Sequence, residues 1–274
     1  MGKIKNVPFR VFCYVMVVIF LFLYLFPLFY VVNTSIKSAK DYMRNPSGLT
    51  TTWQFSNFVT AWNKADFGKY IGNSVLYTSV CTLLSLFMSL FIAFPISRKY
   101  IPGASAFYFL FICGLFLPNG MIPVFQLILH MGLYDTRVGY MLVMTGVSAT
   151  SVFFFEGYFK SIPKEMDEAA TMDGCGYLRY VFTIVLPLAK PAVVSMGMLT
   201  MIGIWNDIVS STIYLTTKTY YNITRGLFVF QGQYSNDWTL TAAGLLIVAA
   251  PLVIAYCFGQ RYSVDGVMAG GVKA

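Results

Sequence analysis

Long apolar runs, each bounded by short polar connectors, dominate the chain from its first residues. Val11 to Val32 carries no charged residue over about 22 positions. At about 1.5 Å per residue such a run crosses a hydrocarbon core as a helix, with its backbone groups paired internally. Five further runs have spanning length: Ile71 to Ser97, Ala104 to His130, Val138 to Phe155, Pro191 to Leu215, and Leu240 to Gln260. Pro118-Asn119-Gly120 interrupts the second of these, and the fourth holds one acid, Asp207. Val138 to Phe155 is the shortest and the least interrupted. The pattern predicts an all-α membrane protein with six transmembrane helices and both termini on one side.

The connectors divide the chain. Residues 1–10 form the N-terminus, 11–32 the first transmembrane helix and 33–70 an outer loop. Residues 71–261 form a five-helix core interrupted by a long connector at 160–190, and 262–274 form a tail. Lys3, Lys5 and Arg10 before an apolar run imitate a secretory signal. The run is too long for one, however, and no A-x-A-like cleavage site follows it, so it reads as a retained span. With the N-terminus inside, eleven of the nineteen basic residues fall in cytoplasmic segments. The short loop Ser97-Arg98-Lys99-Tyr100 is the sharpest pointer to cytoplasmic termini. The second long outer connector, Thr216 to Thr239, is rich in Tyr, Thr and Asn. The Asn33 and Asn222 sequons read as chance matches.

Composition agrees with a membrane protein. The chain is 57% hydrophobic and only 11% charged, where soluble domains are about a quarter charged. The net charge of +8 is spread singly and in pairs between apolar runs, which excludes a nucleic-acid surface. Five scattered cysteines lack C-x-x-C spacing and read as inert thiols. The chain has no G-x-x-x-x-G-K-[ST] loop, no metal-ligand spacing and one histidine, so no catalytic site and no cofactor are expected in it.

The connector from Lys160 to Lys190 is unlike the rest. Ser161-Ile162-Pro163 reads as a helix opener, and Glu165, Asp167 and Glu168 suit the first turn of a helix by complementing its macrodipole. Asp173-Gly174 supplies a stop. Leu178, Val181, Phe182 and Val185 recur at helical spacing, which predicts a second helix ended by Pro187. The product is a helix–turn–helix elbow whose first helix offers two small side chains, Ala169 and Ala170, for close approach.

Glu168-Ala169-Ala170, Gly174 and Ile184-Val185-Leu186-Pro187 together resemble the E-A-A loop of binding-protein-dependent ABC transporter permeases. Lys190-Pro191-Ala192, Trp205-Asn206-Asp207, Phe230-Gln231-Gly232-Gln233-Tyr234, Asp237-Trp238 and Gly271-Val272-Lys273 resemble its carbohydrate importer branch, notably the six-helix maltose-transporter permease. The resemblance implies the type I importer permease fold in a bacterial inner membrane. It implies that the elbow is a coupling helix docked on an ATP-binding subunit, with Glu168, Ala169, Ala170, Asp173 and Gly174 at the contact. Gly271, Val272 and Lys273 would reach the same subunits. The implied partners are a second homologous permease, two ATP-binding subunits that hold ATP and Mg, an extracellular sugar-binding protein, and a sugar or oligosaccharide.

Some polar residues carry two readings. Asp207 is either a substrate or gating contact, beside Asn206 and Trp205, or an acid at a helix end near the outer interface. Asn119 lies in a break that is either a wall of the translocation path or a bend near the membrane surface. Glu156 reads as the end of a cytoplasmic helix. A permease for a non-sugar solute and an ion-coupled carrier are the competing functions; the carrier would need several intramembrane acids, and only Asp207 qualifies.

Overall fold

The computed structural model describes residues 7–117, 120–232 and 236–271. Among them the regular structure is helical, apart from one antiparallel bridge between Gln231 and Asn236. Contacts divide the chain into two units, residues 1–67 with 226–250, and residues 68–225 with 251–274.

The first unit opens with α1 (Val7–Ser35). Its large apolar side chains, such as Phe22 and Leu28, are more than half exposed, so lipid or another subunit must cover them. The connector after it is ordered around Lys37, whose side chain is fully buried. Its ammonium donates to the carbonyls of Asn45 at 2.9 Å, Pro46 at 3.0 Å and Gly48 at 2.5 Å, as a buried charge requires. Asn33 donates to Gly48 O and accepts from Thr50 N–H, both at 2.9 Å. Its amide is therefore engaged within the fold, consistent with a chance sequon. Two short helices, α2 (Ala39–Arg44) and α3 (Ser56–Lys64), complete this connector.

The second unit is built on α4 (Phe67–Arg98), a single helix of 32 residues. α5 (Ala104–Phe116) and α6 (Met121–His130) follow, then α7 (Arg137–Met144) and α8 (Ala149–Ser161). The elbow holds α9 (Glu165–Met172), α10 (Tyr177–Tyr180), a π-helical turn at Val181–Val185 and α11 (Leu186–Leu188). α12 (Lys190–Trp205), α13 (Val209–Tyr214) and a 3-10 turn at Lys218–Tyr220 follow; most of a second 3-10 turn (Thr224–Phe230) and the first part of α14 (Trp238–Gly271) belong to the first unit, and α14 from residue 251 belongs to the second. Three helical stretches, Val11–Ser35, Phe67–Arg98 and Trp238–Gln260, are long and apolar enough to cross a membrane alone. Three bent pairs bring the possible spans to six.

Two runs read as single spans are broken. Val138–Phe155 bends by 48° between α7 and α8, where the chain passes through Thr145-Gly146-Val147-Ser148. Apolar content alone hid this break, since Gly146 and Ser148 favour a turn over a helix. Pro191–Leu215 stops at Trp205 and restarts at Val209. Glu156 does not end its helix; it is buried within α8 and pairs with Lys160 at 2.5 Å, one turn on. The segment read as a tail continues the last span, the backbone of α14 staying helical to Gly271. Val272 and Lys273 lie outside the described residues.

A core of Leu90, Phe94, Val152, Phe155, Phe159 and Val185 packs α4 and α8 against the elbow. Edge-to-face contact between Phe94 and Phe159, with centroids 5.3 Å apart, ties α4 to α8 directly.

Candidate functional site: the elbow and its anchor

α9 begins at Glu165, two residues beyond the Pro163 at which the sequence suggests it opens. Ser161 closes α8 by donating to Tyr158 O at 2.6 Å, and it does not open the next helix. The first turn starts from the carbonyls of Pro163 and Lys164, with Glu165, Asp167 and Glu168 in place. At the other end, Gly174 takes φ +67°, the left-handed region that glycine enters freely. Its N–H reaches Thr171 O at 3.0 Å, and Cys175 N–H reaches Ala170 O at 2.9 Å. This paired closure is a Schellman motif, which satisfies the last carbonyls of α9.

Of the five residues expected at the docking contact, Glu168, Ala169, Asp173 and Gly174 are exposed together on the outer side of the elbow. Ala170 is buried and packs into the core, so only one of the two small side chains points outward. Met172 at 88% and Leu178 at 61% exposure extend the outward face with apolar surface. The second stripe is correspondingly split: Val181 and Val185 are buried, whereas Leu178 and Phe182 are exposed. Pro187 does not end the second helix. It has no N–H to donate, and the ladder just before it widens to π geometry, with Leu186 N–H bonded to Val181 O. The elbow then meets α12 at 78°.

Asp167 holds the elbow to the membrane helices. Arg98, the last residue of α4, places Nε 2.8 Å from Asp167 Oδ2, with the arginine side chain 1% exposed and the aspartate 11%. Tyr100 donates its hydroxyl to the same oxygen at 2.8 Å, and Tyr180 donates to Oδ1. Arg98 Nη1 also donates to Ile162 O at 3.0 Å, just ahead of α9. Burial, aided by the neighbouring carboxylate, pushes the Tyr100 hydroxyl up to about 12. The same causes raise Tyr180. Both phenols therefore remain donors at neutral pH. The sequence offered Asp167 only as one of three acids in a first turn; its two phenol partners lie 67 and 13 residues away, and Arg98 lies on another helix.

The other predicted residues lie away from the elbow. Trp205 is buried and borders a cavity of about 420 Å³ shared with Thr78, Thr82, Met201 and Pro251. Its carbonyl accepts from Thr224 Oγ1 at 2.7 Å. Asn206 is the exposed end of α12. The carboxylate of Asp207 caps α13 by accepting from Ser210 N–H at 3.1 Å and Ser211 N–H at 2.8 Å. Asn119 lies outside the described residues. Asn222, the second sequon, is buried and donates to Asp207 O at 2.5 Å. Among the described residues no group of His, Cys, Asp or Glu is disposed to hold a metal.

Comparison with known proteins agrees with this architecture. The inner membrane ABC transporter permease YcjP of Escherichia coli is 30% identical over the whole of both chains. The diacetylchitobiose uptake system permease NgcG of Streptomyces coelicolor is 28% identical, covering 89% of this chain and 82% of its own. A crystal structure of a bacterial ABC transporter involved in import of the acidic polysaccharide alginate contains a chain with the same fold. It matches with a TM-score of 0.85 at 24% identity, covering 96% of this chain and 99% of that one. Residues 1–263 match the binding-protein-dependent transport system inner membrane component family. This protein is a member of that family, an ABC transporter permease with the type I importer fold.

Proposed function

We propose that this chain imports a sugar or oligosaccharide, together with a second permease, using ATP hydrolysed by two partner subunits. The observation that carries the reading is the outward face of the elbow. Glu168, Ala169, Asp173 and Gly174 are exposed, as are Met172 and Leu178, while Ala170 is buried and Asp167 is held by Arg98, Tyr100 and Tyr180. A carboxylate beside uncovered apolar side chains suits a basic, partly apolar cleft on a protein partner. Closure of the ATP-binding subunits would then move the elbow, and the elbow would switch the membrane helices between outward-open and inward-open states.

Carbohydrate is the favoured solute, supported by the diacetylchitobiose relative and by the Trp205-Asn206-Asp207 and Phe230 to Trp238 likenesses. The orientation follows from the Arg98-Lys99 loop: elbow and termini in the cytoplasm, Asn33 to Tyr70 and Thr216 to Thr239 outside, with a sugar-binding protein met on that side. Gly271, at the end of α14, would lead Val272 and Lys273 toward the ATP-binding subunits. Trp205 and its cavity, with Asn119 and Asn206, form the proposed wall of the solute path, and Asp207 holds that wall in shape.

The test is uptake by the assembled transporter. Gly174→Pro and Glu168→Lys are expected to abolish uptake of an oligosaccharide such as diacetylchitobiose while membrane abundance stays at wild-type level. Normal uptake by both variants would contradict the reading. ATP-dependent uptake of a non-carbohydrate alone would retain the importer and replace its solute.

A further inference from the structure

We infer that α4 is the rod that carries elbow movement across the membrane, and that Asp167 is the positioning residue that latches the elbow to it. The inference rests on the importer reading above and adds the internal route that the docking surface does not supply.

Both ends of the rod are clamped. At the elbow, Arg98 meets Asp167 at 2.8 Å and Ile162 O at 3.0 Å, inside the second unit and away from the outward docking face. At the other end, Asn73 Nδ2 donates to Thr219 O at 2.8 Å and Tyr221 O at 3.0 Å. Tyr77 donates its hydroxyl to Tyr220 O at 2.9 Å, and Ile223 N–H donates to Ser74 Oγ at 2.7 Å. Asn73 and Arg98 lie on one helix, about 38 Å apart at the usual rise per residue. α4 keeps a continuous helical course over this length, with a single ladder bond missing at Pro95, which has no N–H, and so transmits displacement along its axis better than the bent pairs around it. Arg98 is buried, so its position cannot change without Asp167, Ile162 and the Phe94 ring, 5.9 Å away, moving with it. The segment at 219–223 therefore answers to the elbow through one continuous element.

The experiment measures solute imported per ATP hydrolysed by the complete transporter reconstituted in vesicles. Asp167→Asn removes the charge and keeps the shape. It is expected to assemble with the ATP-binding subunits and to hydrolyse ATP, but to import about tenfold less solute per ATP. Tyr180→Phe, a milder change at the same carboxylate, should lower the ratio in the same direction. Asp167→Glu, which keeps the charge, should hold it near wild type. Asn73→Leu should lower the ratio from the opposite end of α4, at a residue unable to touch an ATP-binding subunit on the elbow. Uptake and hydrolysis falling together at a constant ratio would overturn the inference. A normal ratio in Asn73→Leu would do so too, as would failure of Asp167→Asn alone to bind the ATP-binding subunits. If the wild-type chain assembles with no such subunit, the importer reading fails instead.

Discussion

Tyr140 donates its hydroxyl to Asp207 Oδ2 across 3.0 Å, joining α7 to the break between α12 and α13. Tyr140 is 1% exposed, and Asp207 also accepts the free N–H groups of Ser210 and Ser211 in the first turn of α13, so its carboxylate is committed to three protein donors. An acid held this way shapes the helix break and has little capacity left for a solute. Asp207→Ala is expected to cost about 1–3 kcal/mol, because it strands a buried hydroxyl and removes a cap. Tyr140→Phe should cost about 1 kcal/mol, and the two losses should not add. Thermal unfolding in detergent measures both. Uptake by the surviving Asp207→Ala protein should keep its apparent solute affinity; a large loss of affinity without loss of stability would make Asp207 a solute ligand.

Spans, elbow and family were legible because each rests on a local signal. Uncharged runs of bilayer length, a Gly174 that needs positive φ, and fixed spacing from Glu168 to Pro187 require no knowledge of neighbours. Asp167, Tyr140 and Lys37 were not legible for the opposite reason. Each acquires its role from partners brought close only by folding, and a lone acid, phenol or lysine looks alike in any connector. The breaks after Met144 and Trp205 were missed because hydropathy averages over a capping residue.

Lys37 gives a second prediction. Its ammonium serves three loop carbonyls, so Lys37→Met keeps the stem, takes the donor from Asn45 O and Pro46 O, and leaves Gly48 O with Asn33 alone. The connector should lose about 2–3 kcal/mol of local stability. Limited proteolysis of right-side-out vesicles should cut between Asn45 and Thr52 in the variant and spare the wild type. Equal resistance would mean that the buried lysine is not what orders the loop.

Asp135 should make the start of the Thr216 to Thr239 connector acid-sensitive over a low, defined range. Burial alone would raise its carboxyl, but the hydroxyl and amide of Thr217 and the amide of Thr216 outweigh it and hold it at about 2. A carboxyl lowered on folding contributes stability above its unfolded value of about 3.9, and that contribution is lost as pH falls toward about 2. Amide exchange at Thr216 and Thr217 should therefore show constant protection from neutral pH to about 4, after correction for intrinsic rates, and lose it below. Asp135→Ala should remove the protection at every pH. Loss of protection near neutral pH in the wild type would rule Asp135 out as the tether.

Topology is tested at Lys218, which is exposed in the Thr216 to Thr239 connector. A cysteine replacing Lys218, in a background with the five native cysteines removed, should react with an impermeant maleimide added outside. Labelling from the cytoplasmic side alone would invert the whole arrangement and place the elbow outside, out of reach of ATP.

The central claim is that the elbow joins this permease to an ATP-hydrolysing subunit. Its most direct measurement is isolation of the tagged chain in mild detergent, followed by assay of the eluate for ATPase activity. The wild-type chain should carry a nucleotide-binding subunit in stable proportion, and the activity should be retained. Glu168→Lys together with Met172→Asp, both on the outward face of α9, should release that subunit while the permease itself stays folded and in the membrane. A wild-type chain that transports its solute with no nucleotide-binding subunit attached, or a doubly substituted elbow that retains the subunit in full, would contradict the account.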